Sequence, residues 1–205
     1  MPSPNQALSQ RECRGFTVDS IKVEQRSEGV AALIQGHAAV FDQLSEDLGG
    51  FRERIAPGAF AKTIQKLDQR ALWNHNTDYV LGRRGAGTLR LREDSKGLAI
   101  EIDPPDTQYA RDLMVSMQRG DVDQMSFAFA TISDRWDKVD GEWIRTLLEV
   151  DLFEVSPVTF PAYSQTDVSA RALDGFAAAR ASEQPPADHD LALRRMRLDL
   201  VEAEL

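Results

Sequence analysis

Apolar and polar residues alternate in short runs along most of the chain, a period of two that is typical of β-strands with one buried face. The runs are bounded by Gly, Pro, Asn and Asp, which favour turns. Strands are predicted over residues 16–18, 21–23, 30–40, 70–73, 79–81, 88–92, 98–102, 125–130 and 143–158. The pattern therefore predicts a mainly β protein.

Two pairs of these strands are predicted to be hairpins. Asp94-Ser95-Lys96-Gly97 separates two alternating runs with a sequence rich in turn formers. Asp140-Gly141 is a two-residue turn of the kind whose residues tolerate the positive φ angles that tight hairpins need.

Period-3.6 patterns predict two helices within the β-rich region. Pro57 suits the first position of a helix over residues 58–66, because its missing N–H costs nothing there. Asp106 or Thr107 caps a second helix that reaches Arg119 and ends at Gly120. Short strands, tight turns and few helices predict an α+β, mainly β fold: a small closed β-barrel with peripheral helices.

Composition divides the chain into four parts. Residues 1–14 are polar and contain proline, which predicts a disordered segment. Residues 15–170 form the folded domain, residues 171–190 a linker, and residues 191–205 an amphipathic C-terminal helix. The tail helix is thus expected to be separate from the core.

Charge, cysteine count and residue spacing exclude several functional classes. A net charge of -9 argues against a phosphate-binding surface, so no nucleic acid partner is expected. The single cysteine, Cys13, excludes an intrachain disulfide framework. No residues have metal-ligand spacing, so neither metal nor other cofactor is expected. No signal peptide is visible and no apolar run approaches the roughly 20 residues that span a bilayer, so we expect a cytoplasmic protein without membrane contact.

The candidate chemistry is an activated serine. Ser126 lies in an apolar run, and alternation places Ala128 and Ala130 on its face, which leaves room for a substrate carbonyl. A serine hydroxyl needs a neutral imidazole to accept its proton, and a third group usually orients that imidazole. His75, between two asparagines, is the candidate base. His37 is predicted to be structural.

An acid on the last predicted strand completes the set. Alternation places Glu154 and Ser156 on the face of Val150 and Leu152, where a carboxylate needs a partner. Glu149 and Asp151, on the opposite face, remain alternatives, as does His37 as a second histidine. The glycine-rich segment 81–87 is a candidate oxyanion hole.

Five segments, in this order, resemble the HK97-type prohead (capsid maturation) serine proteases of tailed phages and prophages. They are Ile55-Ala56-Pro57-Gly58-Ala59-Phe60, Asn74-His75-Asn76, Leu81-Gly82-Arg83, Met125-Ser126-Phe127-Ala128-Phe129, and Glu154-Val155-Ser156-Pro157-Val158 with Pro161-Ala162. The resemblance implies that His75 and Ser126 are the catalytic pair, with Glu154 as the third residue. It also implies a barrel of the herpesvirus-protease type.

The resemblance further implies the biological setting. The expected substrates are the scaffolding region of the major capsid protein and the protease itself, inside the procapsid in the cytoplasm of the bacterial host. A homo-oligomer of the protease is a further expectation that the sequence leaves open. A phage, a prophage or a gene transfer agent could supply such a gene. A catalytically inactive barrel that serves as an internal scaffold is the main alternative, and a hydrolase of small esters is a weaker one.

Overall fold

The computed structural model describes residues 11–17, 21–24, 32–160 and 170–183. The chain divides into two units, Met1–Ser169 and Ala170–Leu205. Among the described residues, no helix is both long enough and apolar enough to cross a membrane.

Strands account for most of the regular structure. In chain order they are β1 (Glu12–Thr17), β2 (Lys22–Glu24), β3 (Leu33–Val40), β4 (Phe51–Ile55), β5 (Arg70–Trp73), β6 (Asn76–Arg83), β7 (Leu89–Glu93), β8 (Gly97–Ile102), β9 (Gln124–Val139) and β10 (Glu142–Val158). The helices are α1 (Thr63–Lys66), α2 (Gln108–Arg119) and α3 (Ala170–Glu183), with a 3-10 turn at Arg84–Ala86.

The strands form two sheets. The larger has the order β1-β9-β10-β5-β6, and β4 pairs with the first half of β10. The smaller has the order β2-β3-β8-β7. The long antiparallel hairpin β9–β10 is the centre of the larger sheet, and it presents β5 and β6 on one side and β1 on the other.

One hydrophobic core joins the two sheets. It takes Phe127 and Phe129 from β9, Leu152 and Val155 from β10, and Ile100 from β8, all of which are buried. Because alternate residues of a strand point to opposite faces, Ser126 and Ala128 lie on the face of β9 away from these phenylalanines. The alternation predicted for this strand is confirmed.

The mainly β fold with few helices is confirmed, but the predicted closed barrel is not found: the described strands pair as two sheets. Alternation identifies the buried face of a strand but not its hydrogen-bonded neighbour, and a two-sheet core satisfies the same pattern as a barrel. The herpesvirus-protease type of barrel, which the resemblance implied, is likewise not found among the described strands.

Both predicted hairpins are present. Asp140 and Gly141 have φ angles of 51° and 87°, as a two-residue hairpin turn requires. At the other turn, a side chain on Gly97 would place its Cβ 2.0 Å from the carbonyl oxygen of Ala39, so the close approach of β3 requires glycine there.

The second helix is confirmed and the first is shorter than predicted. Helix α2 begins after Thr107 and ends at Gly120, whose φ of 83° closes the helix in the left-handed region. The predicted helix over 58–66 is helical only from Thr63, because Gly58 has a φ of 90° that no α-helix accommodates.

Two predicted boundaries differ from the structure. The segment 1–14 was expected to be disordered, but Glu12–Arg14 belong to β1, where ion pairs compensate the burial of their charges. The linker 171–190 is helical over its first part, since α3 extends to Glu183. The tail helix 191–205 lies outside the described residues.

Candidate active site

His75 lies at the tip of the β5–β6 hairpin. Trp73 pairs with Asn76, and the two residues between them, Asn74 and His75, have φ angles of 52° and 58°. This is a two-residue turn of the type that matches the twist of hairpin strands, and a non-glycine residue with positive φ is uncommon enough to suggest a functional constraint. The turn directs the imidazole back over β10.

Asn74 fastens this turn to the end of β10. Its backbone N–H donates to the carbonyl of Pro157 at 3.0 Å. Its side-chain oxygen accepts from the N–H of Thr159 at 2.9 Å, and its amide donates to the Thr159 hydroxyl at 3.3 Å. His75 is therefore held in place by a hairpin turn, and the other residue of that turn, Asn74, is fixed by three hydrogen bonds.

The imidazole connects the other two predicted residues. Its Nε2 lies 2.8 Å from the Oγ of Ser126, and its Nδ1 lies 2.5 Å from Oε1 of Glu154. A carboxylate oxygen only accepts, so Nδ1 carries the ring proton and Nε2 is free to accept from the serine. The structure brings together all three residues of the predicted set.

Glu154 reaches this site because of a β-bulge. Leu152 pairs with Phe129 and Glu154 pairs with Ala128, so the intervening Phe153 has no partner of its own on β9. The extra residue reverses the alternation and turns Glu154 to the face of Ser126. Alternation alone placed Glu154 on the face of Leu152, and that prediction is wrong because a bulge re-aims the side chains that follow it.

Ser156 also belongs to the site, although the sequence did not single it out for a role. Its hydroxyl donates to Oε2 of Glu154 at 2.6 Å and accepts from the backbone N–H of His75 at 3.3 Å. Ser156 and Ser126 are both fully buried. The hydroxyl thereby fixes the acid and the hairpin turn relative to each other.

The alternative third residues lie elsewhere. Glu149 pairs with Lys62 at 2.5 Å, and Asp151 precedes the bulge and lies opposite Ala130. His37, on β3 of the smaller sheet, binds both carboxylate oxygens of Asp94 at 2.9 and 3.1 Å. His37 lines a cavity of about 430 Å³ that contains none of the three site residues. His189 lies outside the described residues.

The glycine-rich segment 81–87 is pinned by one carboxylate. Asp68 accepts from the side chain of Arg83 at 2.7 Å and from the N–H of Gly85 at 2.7 Å. The hydrogen bond from Arg83, followed by that from Gly85, lowers the pKa of Asp68 to about 2. The N–H of Gly85 therefore donates within the protein, and the role of this segment as an oxyanion hole stays a prediction.

The first strand reaches the same site. The hydroxyl of Ser126 lies 3.0 Å from the carbonyl oxygen of Arg14, and the guanidinium of Arg11 donates to Oε1 of Glu154 at 2.7 Å. Sequence reasoning missed both residues because the segment is polar and reads as a disordered terminus. One signal was present in the sequence Arg11-Glu12-Cys13-Arg14. In a strand, the oppositely charged Glu12 and Arg14 would lie on one face, where they could pair.

A buried charge cluster holds β1 in place. It consists of Glu12, Arg14, Glu53 and Arg145, each at most 4% exposed. Arg14 binds Glu53 at 2.8 Å and Glu12 at 2.9 Å, and Arg145 binds both acids at 2.9 Å. Burial would raise the pKa of Glu12, but Arg145 and Arg14 outweigh it and hold that pKa below its ordinary value.

The set Ser126, His75 and Glu154 has the connectivity of an activated serine: nucleophile, base and orienting acid in hydrogen-bonded order. Such a set can attack a carbonyl carbon and pass the serine proton to a leaving group. Among the residues the structure describes, no group of three or more His, Cys, Asp or Glu side chains could hold a metal ion.

Comparison with known proteins gives a family, a similar protein and a similar solved structure. A family model described as Caudovirus prohead serine protease matches residues 19–179. The "Prohead protease" of Enterobacteria phage HK97 is 28% identical over 166 residues, which cover 78% of this chain and 70% of that protein. The capsid assembly protease of bacteriophage T4, a solved structure, has 10% identity and a TM-score of 0.48 over 73% of this chain and 97% of its own.

Proposed function

This chain belongs to the caudovirus prohead serine protease family, and on that premise we propose that it is an endopeptidase with Ser126 as nucleophile, His75 as general base and Glu154 as the orienting acid. The observation that carries the assignment is the pair of hydrogen bonds on one imidazole, 2.8 Å to Ser126 and 2.5 Å to Glu154. The family is one of peptidases that act in capsid maturation.

The geometry supports the following steps. Ser126 Oγ attacks the carbonyl carbon of a peptide bond while Nε2 of His75 accepts the hydroxyl proton. His75 then donates that proton to the leaving amine, and the C–N bond breaks. A water molecule, deprotonated by the same imidazole, hydrolyses the acyl-enzyme and restores the serine. General-base assistance of this kind contributes about 10²–10⁴ to the rate.

Glu154 keeps the imidazole in the tautomer that this sequence of steps requires. Glu154 is 4% exposed, and its carboxylate accepts from His75, Ser156 and Arg11. A buried carboxylate with several donors is well placed to stabilise the imidazolium that forms during attack. A mechanism of this type uses no metal, so we expect EDTA to leave the rate unchanged, and zinc-reversible loss of activity would contradict the mechanism.

The proposed substrates are capsid assembly proteins. The relative from phage HK97 is named a prohead protease, and by analogy we expect this chain to cleave the scaffolding region of its major capsid protein, and itself, inside the procapsid in the bacterial cytoplasm. The alternative, a catalytically inactive internal scaffold, has no need of a connected Ser126–His75 pair.

The C-terminal tail is proposed to connect the protease to its partners. Residues 184–190 contain two prolines and several polar groups, and residues 191–205 carry apolar residues at helical spacing. We propose that the tail helix binds the procapsid interior as an amphipathic ligand and that one self-cleavage falls between residues 174 and 190. Truncation after Ser182 should then abolish incorporation into procapsids.

A time course on purified protein tests the proposed function. Wild-type protein should convert to smaller forms on gels over hours, while Ser126→Ala, which removes one buried oxygen, should stay intact. Equal conversion of both proteins would show that a contaminating protease is responsible and would contradict the assignment.

A further inference from the structure

Strand β1 covers the nucleophile. Ser126 is fully buried, although a protease must present its serine to an extended peptide. Strand β9, which carries Ser126, has β10 on one side and β1 on the other, and β1 forms the edge of the sheet. No external peptide can contact the Ser126 hydroxyl while β1 holds this position.

The pairing of β1 with β9 has the geometry of a bound peptide. The two strands are antiparallel, with Gly15 opposite Ser126 and Cys13 opposite Ala128. Addition of an extended peptide to a sheet edge is a common mode of peptide recognition, in which main-chain hydrogen bonds supply affinity and side-chain pockets supply specificity.

One peptide bond of β1 lies at the reacting atoms. The carbonyl oxygen of Arg14 is 3.0 Å from Ser126 Oγ, and His75 Nε2 is 2.8 Å from the same atom. The serine has a single proton, so the Arg14 carbonyl and the imidazole compete for it. Arg11, earlier on the same segment, binds the oxygen of Glu154 that His75 also uses.

The side chains of β1 fill a charged pocket. Arg14 and Glu12 are two residues apart and point to the same face, where Glu53 and Arg145 neutralise them. Removal of β1 takes away one positive and one negative charge, and Arg145 keeps its ion pairs with Glu53 at 2.9 Å and Asp134 at 2.7 Å. The family match begins at residue 19, after β1, so this strand lies outside the segment that the family model covers.

We infer that the edge of β9 is the substrate-binding site, that it accepts an extended peptide with an acid two residues before an arginine, and that β1 is its built-in first substrate, cut between Arg14 and Gly15. This inference rests on the proposed function. Ser126 bonds to the Arg14 carbonyl carbon, the Gly15 amine leaves with the proton from His75, and water hydrolyses the Arg14 ester. The products are residues 1–14 and a chain that begins at Gly15.

The first test is the mass of the self-cleaved protein. Wild type should lose residues 1–14 and gain an N-terminus at Gly15, whereas Ser126→Ala should keep them. Arg14→Gln should slow this cut at least about tenfold, because the variant loses the charged hydrogen bonds from Arg14 to Glu53 and Glu12 that hold the peptide in the site. A wild-type enzyme that cleaves its capsid protein while residues 1–14 stay intact would overturn the inference, as would an unchanged rate for Arg14→Gln.

A disulfide lock tests the position of β1 directly. Ala128→Cys places a second thiol opposite Cys13, at a Cα separation that a disulfide can bridge. In molecules whose intact mass shows that residues 1–14 are still present and crosslinked, cleavage of added capsid protein should be absent, and reduction of the same sample should raise it, while Ala128→Cys with Cys13→Ser should be insensitive to oxidation. Capsid cleavage at the same rate in the crosslinked and the reduced sample contradicts the inference alone; absence of Ser126-dependent cleavage in every sample contradicts the proposed function, and the inference with it.

Discussion

Ser126 and Ser156 lie directly opposite each other in the antiparallel pair of β9 and β10. One hydroxyl contacts His75 Nε2, and the other contacts both Glu154 and the backbone N–H of His75. The two strands of one hairpin thus hold the proposed nucleophile, the acid and the hydroxyl that positions the acid. Because β-strands are rigid, the distances among these groups are set by the sheet.

Replacing Ser156 by alanine should lower kcat about tenfold and leave KM nearly unchanged. The variant loses the donor to Oε2 of Glu154, so the carboxylate orients the imidazole less well, but no contact with the peptide is removed. Steady-state kinetics with a peptide substrate measures both constants. Ser133→Ala, on an exposed part of β9, is the matched control. A change in KM alone would show that Ser156 does not act through the acid.

The identity of the third residue is tested by three isosteric substitutions on β10. Glu154→Gln should reduce kcat by about 10³–10⁴, since the amide no longer fixes the required tautomer of His75. Glu149→Gln and Asp151→Asn should stay within about twofold of wild type, because neither residue contacts the imidazole. A large loss in either of those two variants, with Glu154→Gln near wild type, would transfer the role to the other acid.

The hairpin turn can be tested by two substitutions of Asn74. Asn74→Gly keeps a residue that tolerates positive φ but loses the side-chain hydrogen bonds to Thr159. Asn74→Ala loses these hydrogen bonds and also the tolerance of positive φ. The alanine variant should be less stable than the glycine variant by about 1 kcal/mol, the cost of a left-handed conformation for a residue with a Cβ. Urea unfolding measures this difference. Equal stability would show that the turn relaxes without strain.

The buried charge cluster predicts how stability depends on pH. The pKa of Glu12 is below its ordinary value of 4.5, so the ionised form stabilises the folded state above that pH, and the contribution is lost as pH falls through the folded-state pKa. In the Ser126→Ala background, which keeps residues 1–14, the free energy of unfolding with Glu12 should exceed that with Glu12→Gln by roughly 3 kcal/mol at pH 7, the scale of a broken buried ion pair, and this difference should shrink below about pH 4.5.

Unfolding by urea at a series of pH values measures this gap, with the exposed Glu142→Gln as control. A difference that stays constant down to pH 3 would show that Glu12 contributes by packing and not by charge.

The sequence was sufficient to predict three residues of the candidate site, Ser126, His75 and Glu154, but not Ser156 and not how the residues are assembled. Ser126 could be placed because the alternation around it is regular. Glu154 was assigned to the wrong face because a bulge at Phe153 inserts one residue, and bulges carry no clear mark in an apolar run. Pairing of strands into two sheets depends on long-range contacts that local periodicity does not encode.

The role of β1 was missed for a different reason. Arg11, Glu12 and Arg14 are charged, and charged residues near a terminus normally indicate a solvated segment. The burial of Glu12 and Arg14 depends on Glu53 and Arg145, which are distant in sequence. Only the folded chain brings these four charges together.

The most direct test of the account is the mass of the major capsid protein after coexpression with this chain. With wild type, the capsid protein should lose its scaffolding region. With Ser126→Ala, His75→Ala or the double variant, it should keep its full mass, and the double variant should be no slower than either single one because the two residues act as a unit. Full processing by Ser126→Ala, or a His75→Ala variant near the wild-type rate, would contradict the central claim.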